Sequence, residues 1–136
     1  MAIKQLDPKA ILNNVHTIAL IGASDRIDRP SYEVMVFLIE QGYKVLPVNA
    51  RLAGQMILEQ KVYASLQDIK EQIDMVDIFR RSDALEEVVK EAVRLKPLPK
   101  VIWFQLGLYN EAAMRLANDA GVDIIVNCCP KIELMS

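Results

Sequence analysis

The sequence predicts an α/β fold: a doubly wound, mainly parallel five-stranded sheet with helices on both faces. Three observations predict it. Five short apolar runs recur along the 136 residues, and runs that are apolar throughout mark strands buried on both faces. Segments with helical spacing lie between most of them. Strands that alternate with helices need crossover connections, and crossovers make neighbouring strands parallel. A hydrophobic fraction of 52% with 25% charged residues is that of a globular chain, and this length closes a core without metals or disulfides. A single domain over residues 1–136 is expected, without internal repeats or low-complexity segments.

The elements follow in order. Asp7-Pro8 is an N-cap with a first-turn proline, opening a short helix to about Asn14. Thr17-Ile18-Ala19-Leu20-Ile21 is the first strand, broken by Gly22. Val34, Met35, Leu38 and Ile39 place a helix over residues 31–41, closed by Gly42. Residues 43–48 form the second strand, with Pro47 at its end or at an unpaired position. The segment 52–63 has room for one short extra strand. Ser65 to Asp68 resembles a capping box for a short helix.

Residues 75–79 are the third strand. Ser82 is expected to cap the helix after it, where Leu85, Val88, Val89, Ala92 and Val93 share one face. Residues 101–105 give the fourth strand and 110–120 a further helix, closed by Gly121. Residues 122–127 give the fifth strand.

Several function classes drop out. A net charge of -2 provides no basic field for nucleic acid or an anionic membrane. No segment approaches the roughly 20 apolar residues of a membrane span, and residues 1–7 lack the apolar stretch of a leader. Cys128 and Cys129 are adjacent, which is neither redox nor zinc-ligand spacing. Two thiols without a leader suit a reducing, cytoplasmic setting. The single histidine, His16, has no companion at ligand spacing, so no protein-bound metal is expected.

In an open α/β sheet, ligands bind beyond the carboxyl ends of the strands, where strand order reverses. After the first strand come Gly22, Ala23 and Ser24, then Arg26, Arg29, Pro30 and Ser31 at a helix start. Backbone amides, hydroxyls and guanidinium groups at a helix N-terminus suit phosphate. The glycine fingerprint for dinucleotides is absent. After the second strand stand Val48 and Asn49, with no acidic residue to grip a ribose, which counts against NAD. Arg51 suits a ribose phosphate, as in NADP or coenzyme A, or is a solvated arginine. Phe79, Arg80 and Arg81 end the third strand: a ring that stacks on adenine or simply packs in the core, and two cations that repel unless an anion visits. Gln105 and Gly107 end the fourth. Cys129 is read as a packing cysteine; it or Tyr32 is the reactive group only if the chain is an enzyme, and with no evident general base no catalytic residue is identified.

Together, Gly22-Ala23-Ser24-Asp25, Asp28 to Tyr32, Gly42-Tyr43, Pro47-Val48-Asn49, Val76 to Arg80, Gln105-Leu106-Gly107 and Cys129-Pro130 resemble the stand-alone CoA-binding domain proteins. These are similar to the N-terminal half of the succinyl-CoA synthetase alpha subunit. The resemblance runs over residues 16–133 and implies a Rossmann-like fold of the NAD(P)-binding superfamily. It also implies that Gly22, Ala23, Ser24 and Arg26 meet CoA phosphates, that Arg51 serves the nucleotide phosphate end, and that Phe79, Arg80 and Arg81 border adenine. Asn127-Cys128 and Pro130 match loosely an Asn-Cys-Pro turn near the thiol end, with Cys129 inserted. The histidine-bearing second domain of the synthetase has no counterpart in the 136 residues. The expected function is binding of coenzyme A, free or acylated, without catalysis. An NADP- or acyl-CoA-dependent enzyme and a regulatory interaction protein are the alternatives.

Overall fold

The computed structural model describes residues 6–135. Residues 1–5, part of the stretch read above for leader character, and residue 136 lie outside them. The chain runs α1 (Pro8–Leu12), β1 (Thr17–Ile21), α2 (Pro30–Glu40), β2 (Lys44–Val48), β3 (Met56–Ile57), β4 (Gln60–Lys61), β5 (Met75–Ile78), α3 (Leu85–Ala92), β6 (Val101–Phe104), α4 (Glu111–Asp119), β7 (Asp123–Ile125) and α5 (Pro130–Met135). No helix among the described residues is long and apolar enough to cross a membrane.

The main sheet has the order β2-β1-β5-β6-β7, and every pairing in it is parallel. Strand order reverses between β1 and β5, so the crevice opens above their carboxyl ends. Side-chain alternation sorts the core into two layers. Ala19, Ile21, Val76, Ile78, Ile102 and Phe104 face one way with Leu85, Val89, Met114 and Ala117 from α3 and α4. Ile18, Leu20, Met75, Val101 and Trp103 face the other, with Leu12 from α1 and Val34, Met35 and Leu38 from α2. Each large apolar side chain buried in this way contributes roughly 1.5–3 kcal/mol.

Local chemistry explains most boundaries. The Asp7 carboxylate accepts from the Lys9 amide at 3.1 Å and so caps α1. Lys44 donates its amide to His16 O at 3.0 Å, so alternate residues of β2 face β1 and Pro47 faces away from it, where its carbonyl accepts from the Tyr63 amide at 2.9 Å. A proline there removes no ladder bond.

Three expectations change. The segment 52–63 holds two paired strands, the antiparallel hairpin β3–β4, turning at Leu58 and Glu59, whose φ values are 50° and 66°. Ser82 makes no side-chain cap on α3, which begins three residues later after a 3-10 turn; its hydroxyl instead accepts from the Tyr109 amide at 3.1 Å. The capping box expected at Ser65 is not made: residues 66–68 form a single 3-10 turn without a side-chain cap, and the Ser65 hydroxyl donates to Asp68 Oδ2 at 3.3 Å.

Candidate functional site

Gly22 ends β1 where the chain passes closest to the end of β5. Its φ is +85°, and a Cβ there would sit 2.1 Å from the Phe79 carbonyl oxygen. Only glycine permits that approach. The Gly22 and Ala23 amides both donate to Val48 O, at 3.0 and 3.3 Å, so they tie β1 to β2 and are spent within the fold. This departs from the expectation that they serve as ligand donors. The Ser24 and Asp25 amides have no partner among the described residues. The Ser24 hydroxyl accepts from the Arg26 amide at 3.1 Å, which leaves its O–H free to donate outward.

The loop then enters α2. Arg29 is the N-cap residue without a side-chain cap bond, and Pro30 holds the first turn. The Tyr32 and Glu33 amides return to Arg29 O at 3.0 and 3.2 Å. The Ser31 amide therefore stands at the positive end of the helix without an intrahelical acceptor. Glu33, the acid of that first turn, is engaged by Lys131 at 2.6 Å.

A cavity of about 710 Å³ opens here, and Gly22, Ala23, Ser24, Arg26, Arg29, Pro30, Ser31, Asn49, Arg51, Phe79 and Gln105 all line it. A second cavity of about 530 Å³ lies on the α3 side of the sheet, lined by Val48 and Arg80 among others, and it shares Gly22, Asn49 and Arg51 with the first. The two meet where β1, β2 and β5 converge. Asn49 braces this junction: its amide nitrogen donates to Ala23 O at 2.8 Å and its oxygen accepts from the Arg51 amide at 2.9 Å.

Two expected residues lie elsewhere. The Arg81 side chain is 87% exposed, paired with Asp83 at 3.3 Å, and lines neither cavity; it stands three residues past the end of β5 and is turned to solvent. Gly107 also lines neither, but its amide donates to Asn127 Oδ1 at 2.9 Å. That bond holds the turn whose flanking Leu106 and Leu108 do line the larger cavity.

Sequence reasoning gave no site role to Asp25, Val34, Leu52, Leu106 and Leu108, and it favoured packing for Cys129, whereas Cys129 also reaches the cavity wall. The leucines carry no chemical signal, and only their loops, after β2 and β6, could have pointed to them. Cys128 packs beside the core, and burial, with help from the nearby Glu133 carboxylate, pushes its thiol above the ordinary value. It is a poor nucleophile.

Behind the cavity wall, the Gln105 amide nitrogen donates to Asp77 Oδ1 at 2.5 Å. Asp77 is fully buried, and its Oδ2 has no partner among the described residues. Burial pushes its carboxyl up to about 7, with the Gln105 bond opposing the rise. A titratable group this perturbed, one residue behind a cavity, is where ligand-binding chemistry concentrates.

Comparisons with known proteins show the family and the fold. A Bacillus subtilis protein, YneT, is 37% identical over 124 residues, covering 91% of this chain and 89% of its own. The alpha subunit of an ADP-forming acetate–CoA ligase from Pyrococcus furiosus is 32% identical over 105 residues, 71% of this chain and 22% of that subunit. The solved structure of the cell-free ID.343 protein from Thermus thermophilus superposes with a TM-score of 0.88 at 35% identity, over 93% of each chain. The model of the CoA binding domain matches residues 16–135, and the chain belongs to that family.

Proposed function

We propose that this protein binds coenzyme A, free or acylated, in the two joined cavities above β1, β2 and β5, and acts as a cytoplasmic CoA carrier or sensor with no chemistry of its own. The observation that carries the reading is the shape and charge of the larger cavity. Its volume falls within the roughly 300–1,000 Å³ of small-molecule sites. Arg26, Arg29 and Arg51 on its wall outnumber its one carboxylate, Asp25, beside a helix N-terminus, which is the environment a polyphosphate needs. The second cavity extends the site past Arg51 to Arg80, giving a long ligand with a phosphorylated ribose a second room. In this reading Val48 floors the nucleotide end, Phe79 offers a ring face, and Arg81 stays in solvent.

Charge-assisted hydrogen bonds are worth roughly 1.5–3 kcal/mol each, and micromolar binding needs about 8 kcal/mol. Three or four such contacts with adenine packing reach that. Calorimetric titration with CoA, acetyl-CoA, NADP, NAD and ATP under reducing conditions tests the reading. Heat with CoA species alone is the expected result. No heat with any of them, and an unchanged melting temperature, would overturn it and leave an interaction protein as the better reading.

A further inference from the structure

The guanidinium and amide groups around the larger cavity recognise anions, but CoA also carries an uncharged arm with two amide groups, and the nucleotide donors cannot read it. The group suited to that task lies on β5 and β6. Asp77 pairs with Trp103 in the β5–β6 register, so Gln105, two residues beyond Trp103, projects from the same side of the sheet as Asp77. The Gln105 side chain is 7% exposed and lines the cavity, while its nitrogen is held by Asp77 at 2.5 Å. The oxygen of the same amide has no partner among the described residues. It is also not one of their buried orphan atoms, a class that holds only Asp77 Oδ2. It is therefore accessible, on a side chain that lines the cavity.

We propose that Asp77 is a positioning residue for ligand specificity: it holds the nitrogen of Gln105 so that the Gln105 oxygen faces the cavity and accepts an amide N–H of the CoA arm. The assignment rests on the CoA reading above. A carboxylate only accepts hydrogen bonds, so it fixes which end of the Gln105 amide points outward. An amide left to rotate presents its N–H₂ to the cavity as readily as its oxygen, and two donors then face each other. The orphaned Oδ2 is the cost of this arrangement, because a polar atom buried without a partner destabilises the fold.

The test compares CoA with adenosine 3′,5′-bisphosphate, which carries nucleotide phosphates and no arm. Titrations are run at pH 8, above the value of about 7 for Asp77, where the carboxylate form dominates. Asp77→Val is expected to weaken CoA about five- to tenfold, the scale of one neutral hydrogen bond, and to leave the bisphosphate within about twofold. Gln105→Met, a separate variant should the first fail to fold, is expected to do the same. The double variant is expected to lose no more than either single one, because Asp77 acts through Gln105. Equal losses for both ligands, no loss with either variant, or losses that multiply in the double variant would overturn the assignment. If wild-type protein binds neither ligand, the CoA reading itself fails. If it binds the bisphosphate as tightly as CoA, that reading stands for the nucleotide and the assignment at Gln105 falls.

Discussion

Asp74 and Asp77 stand three residues apart at opposite ends of β5, and the sheet uses one side-chain type in opposite ways. At the amino end, Asp74 Oδ2 accepts from the His16 and Thr17 amides at 2.8 and 3.1 Å, with Lys100 at 3.9 Å. Burial pushes its carboxyl up, but those amides and the Lys100 charge together outweigh it and hold it below the ordinary value. At the carboxyl end, Asp77 is wholly buried with one amide partner and is pushed up to about 7. One carboxylate is held by two amides and a lysine, and the other keeps a single amide partner with one oxygen unpaired among the described residues. The difference separates the end that makes the fold from the end that faces a ligand.

The largest effect expected is from the carboxyl end. Gly22→Ala forces a Cβ into the Phe79 carbonyl at 2.1 Å and a side chain onto a φ of +85°. It should destabilise by about 3 kcal/mol or more, measured by urea unfolding, and a variant as stable as wild type would mean that the end of β5 yields easily. Next comes Asp74→Ala, which orphans two amides and should cost about 2–3 kcal/mol at pH 7. Because the folded carboxyl is held low, its stabilisation is present above about pH 4 and disappears as pH falls through the folded value. The two proteins should therefore converge in acid, and a gap independent of pH would break the comparison.

Asp77 has the opposite sign. A carboxyl raised in the folded state favours folding most below about pH 4, its unfolded range, and this contribution is lost as pH rises to about 7. Asp77→Asn removes that penalty, so it should be more stable than wild type at pH 8, by on the order of 2 kcal/mol. The gain is smaller than the full pKa shift implies because an orphan atom remains, now an N–H. Thermal unfolding from pH 4 to 8 should show the advantage growing along the series; a flat difference would mean that Asp77 does not titrate as a buried acid.

The smallest expected effect separates two arginines of the carboxyl end. Arg26→Gln should weaken CoA about three- to tenfold, the worth of one screened charged contact. Arg81→Gln, at a side chain 87% exposed, should leave affinity within about twofold. Equal effects would move Arg81 into the site or Arg26 out of it.

The sequence exposes what repeats and hides what depends on register. Strands such as Thr17–Ile21, buried at every position, read directly because burial on both faces leaves a continuous apolar run. The Gly22 to Ser31 loop is legible because it must follow such a strand and precede a helix. The β3–β4 hairpin is not, because its strands have two residues each and Leu58-Glu59 at its turn is not one of the dipeptides that mark hairpins. The Asp77–Gln105 pair is hidden for another reason. Both residues sit at strand ends, but their meeting depends on pairing Asp77 with Trp103, and no local pattern in either strand fixes that pairing.

Trp103 is the only tryptophan of the chain. It is fully buried, stands opposite Asp77 in the register, and donates its indole N–H to the Cys128 carbonyl at 2.9 Å, next to the cavity residue Cys129. The protein thus carries one native indole fluorophore, one hydrogen bond from the cavity wall and one strand from the buried acid. Its emission should be blue, as suits apolar surroundings, and it should change with both the arrival of a ligand and the charge of Asp77. A label-free optical titration is available without altering a single residue.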